Sequence, residues 1–347
     1  MMRYKLLGRS GLRVSELALG TMTFGEDWGW GAGREESRQI FDQYAEAGGN
    51  FIDTSTNYTN GTSEALVGEF TCADREHFVI ATKYTLTSPA NTDPNRGGNS
   101  RKNMMQTVER SLSRLRSDYI DLLYLHMWDH MTPVEEVMRG LDDLVQQGKV
   151  LYIAFSDTPA WIVAEAATLA ALRGWVHPLG LQVPYSLNNR DIERAEVPMA
   201  RHWDIAILPW GLLGGGVLTG KYSSEDTGPK RYDISTLAER TQAIVKELQA
   251  VADEIGRTPS QVAINWVRAQ NRQAQMIPIL GARTAAQMED NLGCLGWELE
   301  DAHLQRLNAV SSIEYGFPRD FLEGGARQYI FGKTFEMIDN HRGNPVR

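Results

Sequence analysis

Cysteine is nearly missing from this chain: Cys72 and Cys294 are the two among 347 residues. Two thiols cannot build a disulfide framework or a cysteine-rich zinc site, and their scarcity fits a reducing, cytoplasmic setting. Long apolar runs are missing too. The closest, AWIVAEAATLAAL (160–172), is shorter than the ~18 residues that a membrane helix needs, and Glu165 breaks it. Basic blocks are also lacking. The formal net charge is −9, from 35 basic against 44 acidic residues, so nucleic acid and anionic membrane are not expected as partners. The opening MMRYKLLGRSGLRVSEL scatters its charges and has no apolar core segment, so no signal peptide is read there and a cytoplasmic location is expected. No linker divides the chain and no short repeat recurs. No G-x-G-x-x-G occurs that would support a Rossmann mode of nucleotide binding.

What remains is an ordinary globular mixture, 42% hydrophobic and 23% charged, with material for one large core. The chain is read as a single domain over residues 1–347, because α/β barrels run long as one unit. A rhythm recurs in it: a short apolar run, then an amphipathic segment. The runs are LALGTM (17–22), FIDTS (51–55), FVIATKY (78–84), YIDLLYLH (119–126), VLYIAFSD (150–157), LGLQVPYS (179–186), DIAILPWG (204–211) and MIPILGA (276–282). Short, β-branched or aromatic, and mostly apolar without strict alternation, they suit parallel strands covered on both faces. Helix patterns lie between them. REESRQIFDQYAEAG ends at Gly48 or Gly49, and SRKNMMQTVERSLSRLRS opens on Ser100, a good N-cap. TPVEEVMRGLDDLVQQG takes Thr132 as N-cap, Pro133 as first helical residue and Gly148 past its end. Further helices are expected near Pro159, Asp191, Ser235 and Thr284. Eight such alternations predict an α/β fold, the (β/α)8 TIM barrel. An N-terminal hairpin turning at Ser10-Gly11 would plug its bottom. An extra helix over 258–270 would precede the eighth strand, and an irregular aromatic tail would follow residue 312.

Barrels of this kind carry their chemistry at the C-terminal strand ends. There the runs place Asp53 with Tyr58 just after it, then Lys83, His126, Ser156-Asp157, Gln182, Trp210 and Gly281-Ala282-Arg283. A strand-end lysine alone is more often a structural ion pair, and a histidine after LLYL more often a satisfied core residue. Four titratable groups converging from three consecutive strands shift that balance. Proton donation fits them. A tyrosine is a poor acid at neutral pH, and a nearby ammonium stabilises its phenolate. Lys83 would supply that charge, Asp53 would hold Lys83, and His126 would orient a carbonyl.

These residues resemble the Asp-Tyr-Lys-His tetrad of the aldo-keto reductase superfamily, in its bacterial, NADPH-dependent branch akin to potassium-channel β subunits. The resemblance spans nearly the whole chain. LGRSGLRVSELALGTMTFG is similar to that family's opening, FIDTSTNY carries its Asp and Tyr, IATKY its Lys and LLYLH its His. LPWGLLGGGVLTGKY resembles its seventh-strand loop, and IPILGARTAAQMEDNL its eighth-strand cofactor segment. The resemblance implies carbonyl reduction, with NADPH preferred and NADH weaker, the cofactor extended across the barrel mouth. Thr21 and Met22 would border it. Trp210 would stack on the nicotinamide, and Ser156, Asp157 and Gln182 would hydrogen-bond its carboxamide. Gly211, Leu213, Gly215 and Lys221 would line the pyrophosphate. Arg283, after Gly281, would pair with the 2′-phosphate at a helix N-terminus suited to anions, near Gln287, with Asp290 and Asn291 at the adenine. The chain departs from the family pattern where Asp157 replaces an Asn and Gly211-Leu212 replaces Ser-Pro, which leaves the diphosphate contacts open.

Two other motifs mislead. GGVLTGKY fits G-x-x-x-x-G-K, but Tyr222 replaces the magnesium-binding Ser or Thr and loop follows where a P-loop needs a helix. His126 and His130 lack a third ligand, so no metal is expected. Phe24, Trp28, Trp30 and Trp128, with Phe317 and Phe321 of the tail, would wall an aromatic substrate pocket, unless they pack under loops or at a subunit contact. The expected partner is a small-molecule carbonyl, with homo-oligomerisation left open. Two rivals stand beside the reductase: a nicotinamide-binding regulatory module, against which the lack of a long segment before the barrel weighs, and a lyase using Lys83 as a Schiff-base nucleophile.

Overall fold

Strand β1 (Tyr4–Leu6) turns back onto β2 (Arg13–Ser15) in an antiparallel hairpin, with Leu6 opposite Arg13, in a computed structural model that describes residues 1–220 and 237–339. Eight parallel strands follow: β3 (Ala18–Gly20), β4 (Phe51–Asp53), β5 (Val79–Tyr84), β6 (Ile120–Leu125), β7 (Val150–Ser156), β8 (Pro178–Pro184), β9 (Ala206–Trp210) and β10 (Ile279–Gly281). From β3 to β9 each pairs with the next in sequence, and β10 lies beside β3. The ring closes between β9 and the chain entering β10. There Ile207 N donates to Gln275 O at 2.8 Å, and Ile277 N donates to Ile207 O at 2.9 Å. Pro278 has no N–H to extend that ladder, so only the last part of the eighth run, from Ile279, forms regular strand. This is the TIM barrel expected from the sequence.

The hairpin does plug the lumen. Leu7 and Val14 are fully buried against Phe51, Leu122, Tyr124, Ala154 and Leu208, the inward-facing residues of the strands. Helices α1 (Arg34–Glu46), α2 (Thr62–Thr71), α3 (Arg101–Leu115), α4 (Val134–Gln146), α5 (Ala160–Arg173), α6 (Glu196–Trp203), α7 (Glu239–Ile255), α8 (Pro259–Ala269), α9 (Ala285–Leu292) and α10 (Asp301–Val310) accompany the strands. In α4 the buried set Val134, Val137, Met138, Leu141 and Leu144 follows the helical period and forms one apolar stripe. The extra helix before the eighth strand is α8, capped by the Thr258 hydroxyl, which accepts from Gln261 N. Ser100 caps α3 as expected, accepting from Asn103 N.

Several boundaries differ from the expectation. Helix α4 starts one residue late, with Pro133 as its N-cap, because the Thr132 hydroxyl donates to Asp129 Oδ2 at 2.8 Å instead of serving the helix. Helix α1 ends at Glu46 with Ala47 as its C-cap, and Gly48, with φ +92°, turns the chain away. Ser235 lies outside the described residues, and α7 is described from Glu239. The tail is helical where irregular chain was expected: α11 (Arg319–Glu323), α12 (Arg327–Phe331) and a 3-10 turn over Gly332–Met337. Among the described residues no helix is long and apolar enough to cross a membrane.

Candidate active site

Asp53 is the last residue of β4, and Lys83 is the fifth residue of β5, one strand over. Both side chains point into the lumen near its C-terminal end. Lys83 Nζ donates to Asp53 Oδ1 at 2.6 Å, to Thr54 O at 2.8 Å and to Tyr58 Oη at 3.3 Å. Its side chain has 0% exposure. The ammonium also lies over two aromatic faces, 4.9 Å from the Tyr58 ring centre and 5.5 Å from that of Tyr124, which adds attraction for the cation.

Local chain geometry aims Tyr58. It opens a 3-10 turn, Tyr58–Gly61, in which Thr59 and Asn60 take left-handed backbone angles and Gly61 has φ +100°. The turn is pinned by the Thr59 hydroxyl, which donates to Phe24 O at 2.6 Å and accepts from Ser63 N at 3.1 Å. His126 follows β6, its ring 5.9 Å from that of Tyr58 at an interplanar angle of 82°. His126 Nδ1 is 3.1 Å from the Ser55 hydroxyl, so its orientation is set from β4's end. The structure therefore brings all four tetrad residues together.

Burial dominates the electrostatics. It lowers His126 well below the usual histidine value, with the Lys83 charge reinforcing it, so the imidazole is neutral near pH 7. For Lys83, burial pulls down, but Asp53 and Tyr58 together outweigh it and the net direction is up. Burial also raises Asp53, against the opposing pull of Lys83 and Gln182. Tyr58 corrects the expectation. Burial raises its hydroxyl, and Lys83 offsets that only in part, so the net direction is up.

The residues expected at the cofactor sort into three groups. Trp210 ends β9 and is 41% exposed, and its indole N–H donates to Asp157 Oδ1 at 3.3 Å. Gly211 and Gly215, with φ +70° and +67°, shape the loop beyond it, together with Leu213. Met22, Gly281 and Arg283 are exposed at the rim, and Ser156 ends β7 in register with Gln182.

A second group serves the protein itself. Thr21 is fully buried and its hydroxyl donates to Asp53 O at 2.9 Å. Gln182 Nε2 donates to Asp53 Oδ2 at 2.8 Å. Asn291 Nδ2 donates to Gly281 O, and Asp290 Oδ1 accepts from Thr258 and Gln261. Gln287 Oε1 accepts from Arg283 N at 2.9 Å. The start of α9 is not a free anion site as expected. Glu36 Oε1 already accepts from Ala285 N at 2.5 Å, and Thr284 from Gln287 N. Lys221 alone makes the third group, since it lies outside the described residues.

On the substrate side Trp28 meets Tyr58 edge to face at 6.3 Å and Trp30 at 5.6 Å. Phe24 corrects the expectation: it is fully buried and packs on Phe70 at 6.2 Å, so it belongs to the core. Trp128 is 8% exposed, with its backbone N–H donating to Asp157 O at 3.4 Å. Phe317 and Phe321 face each other on the tail and remain exposed. Ser55 and the Gln182–Asp53 bond were missed from the sequence, where no local signal marks a contact made across the barrel.

The site is thus a parallel barrel with a lysine-bound tyrosine at its mouth. The aldo/keto reductase family model matches residues 16–312, and the chain belongs to that family. It is 37% identical to norsolorinic acid reductase of Emericella nidulans over 339 residues, covering 95% of this chain and 87% of the relative. A putative aryl-alcohol dehydrogenase of Saccharomyces cerevisiae is 35% identical over 337 residues, covering 92% and 89%. Aryl-alcohol dehydrogenase (NADP+) of Phanerodontia chrysosporium is 36% identical over 351 residues, covering 95% and 91%. These relatives are fungal, so they lend no support to the narrower bacterial, channel-subunit-like branch.

Proposed function

We propose that this protein reduces an aromatic aldehyde or ketone to its alcohol with NADPH, and that Tyr58 gives the proton. The observation that carries the reading is Lys83 Nζ, held between Asp53 Oδ1 at 2.6 Å and Tyr58 Oη at 3.3 Å in a buried site. When bound, the reduced nicotinamide supplies the hydride, with its electron pair, to the carbonyl carbon. Trp210 and the strand-end groups Ser156 and Asp157 would hold that ring, and Arg283 the 2′-phosphate. His126, neutral, would hydrogen-bond the carbonyl oxygen and fix its direction. Tyr58 stays protonated through neutral pH and passes its proton to that oxygen as charge develops on it, while the Lys83 ammonium stabilises the phenolate left behind. Water returns the proton to Tyr58, so the sum is carbonyl, NADPH and one proton giving alcohol and NADP+.

The aromatic preference rests on Trp28 beside Tyr58, with Trp30 against Trp28, and on the aryl-alcohol names of two relatives. The lyase reading loses ground, because Asp53 and Tyr58 keep Lys83 protonated and a protonated amine is no nucleophile. The test is NADPH oxidation by the purified protein with an activated aromatic aldehyde, with the alcohol identified as product. Substrate-independent background alone, across a panel of aryl aldehydes and ketones, would refute it.

A further inference from the structure

Strands β4 and β8 stand four places apart in a ring of eight, so they face each other across the lumen. Gln182 on β8 spans that gap, and its Nε2 reaches Asp53 Oδ2 at 2.8 Å. Lys83 takes the other oxygen, Oδ1, at 2.6 Å. Both oxygens of a carboxylate that is 3% exposed are thereby satisfied by donors from opposite walls. Gln182 is itself 4% exposed, so water has little access to replace it.

We propose that Gln182 is a positioning residue for the proton donor: it holds the Asp53 carboxylate from across the barrel, and acts on Tyr58 through Asp53 and Lys83. This rests on the reductase reading above and adds a link to it. A buried carboxylate oxygen without a donor is costly, and protonation relieves it. Without the Gln182 N–H, Asp53 would take up a proton at higher pH. Lys83 would then lose its counter-charge, and the ammonium that steadies the Tyr58 phenolate would weaken. The other titratable groups facing this spot are Tyr124 from β6, with His126 after that strand, and Asp157 after β7. None of them donates to Asp53 Oδ2 among the described residues, so none duplicates Gln182.

A hydrogen bond to the nicotinamide carboxamide is the competing role for Gln182, and the two separate in a double-mutant cycle. Gln182→Met, Asp53→Asn and the double variant are compared in the full-length protein. The readings are kcat for aryl aldehyde reduction across pH, NADPH affinity by fluorescence, and thermal midpoint. Gln182→Asn, a methylene too short to span the lumen, serves as a second variant should the methionine fail to fold. The expected result is a loss of about tenfold in kcat for Gln182→Met, with the acid limb of the profile moved up by about one pH unit, the size of one hydrogen bond. On top of Asp53→Asn the same change should cost less than about twofold, since neighbours that act as one unit are not additive. An equal loss in both backgrounds would overturn the proposal, as would a weaker NADPH affinity with an unmoved acid limb. Inactivity of the native protein would instead count against the reductase reading. The Asp53 link would still be decided, because thermal midpoints that add with no coupling would refute it.

Discussion

Lys83 Nζ lies 2.6 Å from Asp53 Oδ1 with both side chains buried. A buried ion pair of this kind is weak evidence for stability as a pair, yet removing one partner strands the other charge. Lys83→Met is therefore expected to destabilise the barrel by about 3–5 kcal/mol and to abolish turnover. Denaturant unfolding measures the first effect. An unchanged midpoint would mean that Asp53 carries no charge in the folded protein.

His126 gives a pH prediction with a definite sign. Its folded value lies well below the ordinary 6.5. Below pH 6.5 the unfolded chain binds a proton that the folded one refuses, so stability is lost as pH falls through that window. His126→Gln should flatten this loss. His177, lowered by burial and by Arg9, keeps part of the slope in the variant. Thermal midpoints from neutral to acidic pH check it, and identical slopes in native and variant would contradict it. Turnover in the native protein should show no limb near pH 6.5 from His126.

Trp28 tests the substrate side. Its edge-to-face contact with Tyr58 places an aromatic wall where a substrate ring would lie. Trp28→Ala should raise KM for aryl aldehydes by about tenfold, the equivalent of ~1.4 kcal/mol of aromatic contact, and leave short aliphatic aldehydes nearly unaffected. Equal effects on both substrate classes would remove Trp28 from recognition.

Arg283 and Glu36 make opposite predictions for the cofactor. Arg283→Ala should weaken NADPH binding by about tenfold and leave NADH unchanged, because only the former carries the 2′-phosphate. Glu36→Gln keeps an acceptor for Ala285 N but removes a negative charge from the start of α9. It should tighten NADPH binding by a few-fold at low salt. Nucleotide fluorescence titrations measure both. An Arg283→Ala protein with native NADPH affinity would show that the phosphate sits elsewhere.

Much of this molecule was legible in its sequence because each signal was local. Short apolar runs marked the strands, and polar residues at the ends of some of them, Asp53, Lys83 and His126 foremost, pointed to the candidate site. Tyr58, five residues past Asp53, needed only the short turn that carries it. What stayed hidden depends on closure of the ring. Ser55 meets His126 across 71 residues, Gln182 meets Asp53 across 129, and Glu36 meets Ala285 across 249. No window of sequence contains such a pair. Phe24 and Trp28 sit four residues apart in one loop, yet one is core and the other faces Tyr58. Phe24 is covered by Phe70 on α2, which local sequence around Phe24 does not contain. Thr132 was a sound N-cap by type and lost that role to Asp129, a competing acceptor three residues away.

The most direct measurement compares NADPH oxidation by the native protein and Tyr58→Phe, with an activated aromatic aldehyde at neutral pH. The variant keeps the ring and removes only the hydroxyl. The account predicts a fall in turnover of at least about a hundredfold, the usual worth of a general acid, with NADPH affinity and thermal midpoint close to native. Equal turnover in the two proteins would contradict it and take Tyr58 out of the chemistry.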